Sequence, residues 1–451
     1  MTGRVGRAEQ LRVARLAAIS ALAKGPGFLL PLVIAASFGA GRATDQYFLA
    51  YAALLFVGGS VGQALEAAVV PFAATALREG AAHARERIKR FVIGAAATGV
   101  VAALLGAVAL WLGMSASSTM HEARRAASLH YALLTPAVVG WAVSGVLSGA
   151  LIAAMQVERS AFANAFRGLG ALAGAAVAVV THNLFFLPVG LSAGEAMRVL
   201  WLRASWRRAV NADVGPVGDG ARATPLGDFR HAATAQIAAQ GLLAATPLIE
   251  RLVAGAMVVA AISRLEYAYR LLMVCSVLFD GGVAPWLLAR WSRMRSIGRF
   301  NARWHEVVRS IGYAAVIGTA IGALLAIFAP LVVRVVLLHG RFTIVDAGIV
   351  TSLVRWYSVG FVANMTVLCA ERAMLATARN RRFLELGVIR TSVRIGVVFL
   401  FAGTMGLRVF PLAFALSEFT YLISVLLQFR VQRPVSRMVE APGVPAESMP
   451  R

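Results

Sequence analysis

Twelve apolar stretches fill this chain, and the second six repeat features of the first six. Val70-Pro71-Phe72 closes the second stretch and Ala284-Pro285-Trp286 the eighth. Ile93-Gly94 opens the third and Ile311-Gly312 the ninth. Val139-Gly140-Trp141 lies in the fourth and Val359-Gly360-Phe361 in the tenth; these exit at Arg159 and Arg379. The offset stays at about 215–220 residues, as an internally duplicated transporter requires. A bilayer span needs about 20 mostly apolar residues, because lipid offers bare backbone no hydrogen-bond partner. The spans read as 15–39, 45–77, 91–114, 128–155, 160–181, 184–203, 232–258, 262–289, 308–337, 346–377, 384–404 and 407–429. Hydrophobic residues make up 59% of the chain, and the mean hydropathy is +0.73. The expected fold is an all-α polytopic membrane protein with about 12 transmembrane helices in two parallel-repeat six-helix lobes. The lobes are 1–210 and 231–430, joined by a Gly- and Pro-rich cytoplasmic linker at 211–230 and followed by a polar tail at 431–451.

The net charge of +23 could indicate nucleic acid, but its distribution indicates a membrane. Arg4, Arg7, Arg12 and Arg15 precede span one, and Arg85, Arg87, Lys89 and Arg90 follow span two. Further basic groups follow spans six, eight, ten and twelve, whereas the odd-numbered loops carry few. This positive-inside pattern predicts cytoplasmic termini. A nucleic-acid binder would gather its charge on one folded face. The N-terminus has a basic start and an apolar run, but eleven more spans follow, so a retained first helix is expected. Cys275 and Cys369 both fall inside spans and read as reduced packing residues.

Catalytic signatures are poor. The seven histidines form no HExxH, and no GxxxxGK[ST] occurs. The chain therefore reads as a non-enzyme with no metal and no cofactor, driven by an ion gradient or the membrane potential.

Charges at membrane depth are more informative, because each costs at least about 2.5–3.5 kcal/mol on insertion scales and so faces a bundle interior or water. Lys24 lies midway in span one and Glu66 deep in span two. Glu250-Arg251 lies in span seven, Glu266, Arg270 and Asp280 in span eight, Glu371-Arg372 in span ten, Arg390 and Arg394 in span eleven, and Glu418 in span twelve. Glu266 and Arg270 share one helix face. Guanidinium groups match phosphate oxygens in pairs, so the set points to a hydrated cavity for an anionic ligand. Glu66, Glu371 and Glu418 are candidate ion-coupling acids; each could equally be a paired core carboxylate. Gly25-Pro26-Gly27, Pro31, Pro136 and Pro247 are expected to interrupt their helices.

Several motifs, in order along the chain, resemble the MurJ/MviN family of lipid II flippases. The run Phe38-Gly39-Ala40-Gly41-Arg42-Ala43-Thr44-Asp45-Gln46-Tyr47 is similar to its first helix-to-helix turn. Leu248-Ile249-Glu250-Arg251 and Leu265-Glu266-Tyr267-Ala268-Tyr269-Arg270 resemble its seventh and eighth helices. His339-Gly340-Arg341-Phe342-Thr343, Tyr357-Ser358-Val359-Gly360 and Arg372-Ala373-Met374-Leu375 resemble the approach to its tenth helix and that helix itself. The resemblance implies two six-helix lobes, alternating access and a lipid-linked saccharide as cargo in a bacterial inner membrane. It implies substrate contacts at Lys24, Asp45 and Arg270, to which the intramembrane charges add Glu266 and Arg372. Departures accompany it. Leu30 and Pro31 stand where the family has an arginine and an acid, no arginine occurs between Tyr47 and Leu77, and no spans follow the twelfth. A related polyprenyl-linked glycan therefore stays open beside lipid II. A small-molecule multidrug antiporter of the wider multidrug/oligosaccharidyl-lipid/polysaccharide exporter superfamily is the alternative. The saccharide, the coupling ion and the oligomeric state are not encoded legibly.

Overall fold

The computed structural model describes residues 2–115, 121–211, 226–296, 304–376 and 380–431. Secondary structure among them is helical throughout. We number the rods α1 (Thr2–Phe38), α2 (Arg42–Leu54 and Ser60–Glu79, joined by a π-helical turn at Leu55–Gly59), α3 (Ala81–Ser115), α4 (His121–Ala153), α5 (Val157–Thr181) and α6 (Phe186–Asn211). The second half supplies α7 (Leu226–Met257), α8 (Ala261–Ser296), α9 (Trp304–Val336), α10 (Ile344–Ala376), α11 (Asn380–Met405) and α12 (Val409–Val431). Eight stretches are long and apolar enough to cross a bilayer, the last taking in both α11 and α12. α1 carries a shorter apolar run, Leu22–Phe38. Most of the predicted connector, 212–225, lies outside the described residues, as does the tail from 432, and α7 takes in the connector's last residues from Leu226.

The prolines interrupt less than expected. α1 runs through Pro26 and Pro31, α4 through Pro136 and α7 through Pro247. Neighbouring helices stabilise such sites where a lone helix would break. Pro26 packs directly on Gly168 of α5, where an added Cβ would lie 2.9 Å from the Pro26 ring.

Helix packing relies on small residues, because no hydrophobic effect separates helix from lipid and close backbone contact must supply the attraction. The extreme case is α5 against α6. Gly170 faces Gly194, and Gly174 faces Gly190; Cβ atoms there would come within 2.4–2.6 Å of the opposite backbone. The strings Gly58-Gly59-Ser60-Val61-Gly62 and Gly190-Leu191-Ser192-Ala193-Gly194 have the spacing of a hydrolase nucleophile elbow. Both lie inside helices, and the elbow needs a strand-to-helix turn. Their serine hydroxyls donate to the carbonyls of Phe56 and Leu133. Of the two cysteines, Cys369 is a buried free thiol, and the Cys275 side chain lies outside the described set, as does that of Asp280.

The two halves of the chain meet at the α1–α2 turn. Asp45 accepts hydrogen bonds from the Ser263 amide (2.8 Å) and hydroxyl (2.7 Å) at the start of α8. These partners are 218 residues apart, within the offset between the two sets of apolar stretches. The Arg341 amide donates to the Ala36 carbonyl (2.8 Å), and the Tyr267 hydroxyl to the Gly39 carbonyl (2.9 Å). Gly39 and Gly340 both have positive φ, and a Cβ on Gly340 would lie 2.1 Å from the Ala36 carbonyl oxygen. Toward the other end of α2, Phe229 of α7 stacks on Phe91 and meets Phe72 edge-on.

Candidate functional site: a basic cavity between the helices

A cavity of about 670 Å³ opens among α1, α2, α4, α5, α6 and α7. The π-helical turn of α2 forms part of its wall through Leu55, Gly58 and Gly59. Such turns displace a helix locally and recur at functional sites. A second cavity of about 300 Å³ lies beside it, lined by α1, α2, α5 and α6 and reached by Arg270 of α8. Lys24, Tyr51, Asn164 and Arg167 line both, so the two spaces meet there. Across the pair, Lys24, Arg167, Arg198 and Arg270 are the basic lining groups, and Glu66 is the acidic one.

Two charge clusters hold these arginines. In the first half, Glu195 is fully buried on α6 and accepts from Arg167 Nε at 2.7 Å, Ser144 Oγ at 2.6 Å and Arg198 Nη1 at 3.2 Å. Gly140 gives it room; a Cβ there would lie 2.7 Å from the Glu195 Cγ. The Gly170–Gly194 contact brings α5 and α6 close enough for Arg167 to reach Glu195 one turn away. The Arg167 guanidinium also lies over the Trp141 ring at 4.1 Å. Two arginines on one carboxylate leave this cluster one positive charge in excess.

The second cluster is a chain of alternating charge. Arg270 Nε meets Glu266 Oε1 at 2.6 Å, and Arg251 Nη2 meets Glu266 Oε2 at 2.6 Å. Arg251 also approaches Glu250 at 3.6 Å, and Glu250 takes Arg394 through two parallel bonds of 2.7 and 2.9 Å. Glu266 would keep a guanidinium partner in Arg251 if Arg270 left. Arg270 is thus the surplus cation of the chain and its cavity end, with the Tyr51 ring beneath it at 5.4 Å.

The sequence-derived residues separate into three places. Lys24, Arg270 and Glu66 line the cavities, and Glu266 stands directly behind Arg270. Asp45 is buried at the α1–α2 turn, bonded to Ser263 across the two halves, and lines neither cavity. Glu371 and Glu418 both clasp Arg390 among α10, α11 and α12, and the half-buried Arg372 sits beside Glu371. Arg167, Glu195 and Arg198 were missed by sequence reasoning. The signal was present: all three are charges inside predicted spans five and six, the criterion that selected the others. Among the described residues no group of His, Cys, Asp or Glu could hold a metal ion.

A membrane fold that is helical among the described residues, with a polar cavity lined by the first half and completed by α7 and α8 of the second, defines a multi-pass membrane transporter. Residues 34–440 match the family described as lipid II flippase MurJ, and the chain belongs to that family. Solved structures agree on the fold. A lipid II flippase MurJ in an inward closed conformation aligns at TM-score 0.75 and 16% identity, over 92% of this chain and 87% of that one. An outward-facing multidrug resistance MATE family transporter of the MOP superfamily aligns at TM-score 0.67 and 16% identity, over 93% and 95%. A MOP superfamily transporter from Pyrococcus furiosus, described as having a binding pocket of reverse polarity, aligns at TM-score 0.69 and 16% identity, over 93% and 95%. No curated protein matches the chain.

Proposed function

We propose that this chain flips a polyprenyl-diphosphate-linked saccharide, lipid II or a related glycan precursor, across the bacterial inner membrane by alternating access. The observation that carries the reading is the sign of the cavity: four basic side chains line it against one carboxylate. A diphosphate brings the complementary charge, and guanidinium groups recognise it through paired hydrogen bonds. The alternative, a multidrug cation antiporter, shares the fold, but its cargo would meet net repulsion here.

Both termini are cytoplasmic in this reading, which follows from the basic even-numbered loops. The α1–α2 turn then faces outward, and its hydrogen bonds to α8 hold the outward side shut. Opening requires breaking a handful of bonds, each worth about 0.5–1.5 kcal/mol net. One charge moved through 100 mV yields about 2.3 kcal/mol, enough to bias such an equilibrium. Glu66 is the favoured coupling acid of the three candidates, because it lines the cavity and forms no ion pair among the described residues. Glu371 and Glu418 are both already engaged by Arg390, away from the cavities.

The test is translocation of a fluorescent polyprenyl-diphosphate saccharide in proteoliposomes. Transport should proceed without ATP and collapse with ionophores. Transport of a lipophilic cation, with none of the saccharide lipid, would replace this reading with the antiporter.

A further inference from the structure

One charge in the larger cavity has no counterpart. Glu66 of α2 is its only acidic lining residue and forms no ion pair among the described residues. Helix geometry gives the reason. Glu66 and Tyr51 are 15 residues apart on α2, about 22 Å at a rise of 1.5 Å per residue. Arg270 lies over the Tyr51 ring at that far end, and Glu195 of α6 holds Arg167 and Arg198. Lys24 is 14 residues from Phe38 at the α1–α2 turn, and Glu66 is 24 from Arg42, so about 15 Å of depth separates those two. α4 and α7 bring no charged residue to this cavity.

The wall that carries Glu66 is fixed. Gly145 and Gly149 of α4 lie on the α2 backbone, where Cβ atoms would fall 2.3 and 2.5 Å from the carbonyl oxygens of Gly62 and Glu66. Gln63 lines the cavity one turn from Glu66, and Gln240 of α7 lines it beside Ser60, whose hydroxyl lies 3.5 Å from the Gln240 backbone carbonyl. An alkylammonium group has three donors and no acceptor. A carboxylate with two amide side chains on the same cavity supplies acceptors for all three, on a backbone with little ordering left to do.

We infer that Glu66 binds a free amino group of the cargo. The cargo is then a diphosphate-linked saccharide bearing an amine, on an amino sugar or an attached amino acid, about 20 Å from the diphosphate at the basic end. The inference rests on the flippase reading with Glu66 as its coupling acid, and it supplies the exchange. One carboxylate cannot hold a proton and an ammonium ion pair together. With the cavity open outward, a proton from outside joins a Glu66 carboxylate oxygen and the ammonium group leaves. With it open to the cytoplasm, that proton passes to water and another ammonium group takes its place. One proton enters for each cargo exported.

Two probes test this: a short-chain isoprenyl diphosphate carrying a disaccharide and a lysinamide joined through its α-nitrogen, and the same lipid with the side-chain amine acetylated. Binding of each to the purified full-length protein in detergent is measured by calorimetry. The wild type should bind the free-amine probe about tenfold more tightly, and the advantage should shrink as the pH falls. The diphosphate titrates alike in both probes, so their ratio reports the acid. Glu66→Gln breaks no ion pair and should erase the difference at every pH; Glu66→Asp should restore part of it. If the wild type binds both probes equally, the amine site is wrong and the flippase reading stands; this comparison decides even if a variant misfolds. If Glu66→Gln keeps the discrimination, another group binds the amine and the assignment falls. An advantage that ignores pH overturns the proton exchange. If the wild type binds neither probe, the inference and the flippase reading fall together.

Discussion

The halves of the chain handle buried charge in opposite ways. In the second half, acids and bases close on one another, with Arg270 alone left over at the cavity end of its cluster. Glu250 takes Arg394 in a two-bond fork, Arg390 is clasped by Glu371 and Glu418, and Arg264 is bound to Asp346. In the first half, charge is left over: Glu195 serves two arginines, and Lys24 serves none. The cavities lie almost wholly against the first half, with Arg270, Gln240 and two neighbours on α7 contributed by the second. A neutralised cluster contributes shape and stiffness, whereas an unneutralised one holds binding free energy available for a ligand. The contrast assigns anchoring to the second half, Arg270 excepted, and recognition to the first half together with Arg270.

The comparison breaks most readily on stability. Glu250→Ala strands Arg394 without its fork, and removing one member of a buried pair costs about 3–5 kcal/mol. The variant should melt far below the wild type, while Lys24→Ala should melt with it and lose transport instead. Equal melting of the two variants would erase the distinction between the halves. Next in size is Arg270→Ala, which removes a charged hydrogen-bond donor worth about 1.5–3 kcal/mol and should slow flipping by about tenfold or more. The double variant Glu266→Ala, Arg270→Ala should stay slow, because the cavity still lacks the Arg270 guanidinium. Recovery of wild-type transport in the double variant would make Arg270 a structural partner of Glu266 only.

The seam between the halves gives a smaller effect. Asp45→Ala deletes both acceptor contacts to Ser263 and should shift the conformational balance by about 1–3 kcal/mol. Spin labels at Ala43→Cys and Ile344→Cys, both exposed, should report a longer second distance in that variant; an unchanged distribution would remove Asp45 from the seal. Smallest is Ser144→Ala. Its hydroxyl donates to Glu195 and accepts from Arg198, so its loss should cost about 1 kcal/mol, read as a modest fall in melting temperature with flipping retained.

Legibility followed the range of the interaction. The rods could be read because lipid imposes length and apolarity on each one separately. The Glu266–Arg270 contact could be read because it lies within one helix turn. The partner of Glu250 could not be read. Arg251 is its neighbour in sequence, yet the fork comes from Arg394, 144 residues on. Asp45 illustrates the same limit: its acidity and depth mark it as important, but only the meeting of two distant turns shows that its role is a seam. Pro26 and Pro31 were read as breaks because a lone helix would break there, and the packing of α1 on α5 overrides that preference.

The seam itself has a consequence for inhibition. Much of it is main chain: the Arg341 amide on the Ala36 carbonyl, the Gly39 carbonyl under Tyr267, the Ser263 amide on Asp45. Gly39 and Gly340 admit no side chain there, since a Cβ on either would fall within 2.1–2.7 Å of the opposing backbone oxygen. A molecule that wedged into this seam and copied its main-chain hydrogen bonds would read atoms that every allele shares. Escape by point mutation would have to pass through residues the protein cannot exchange.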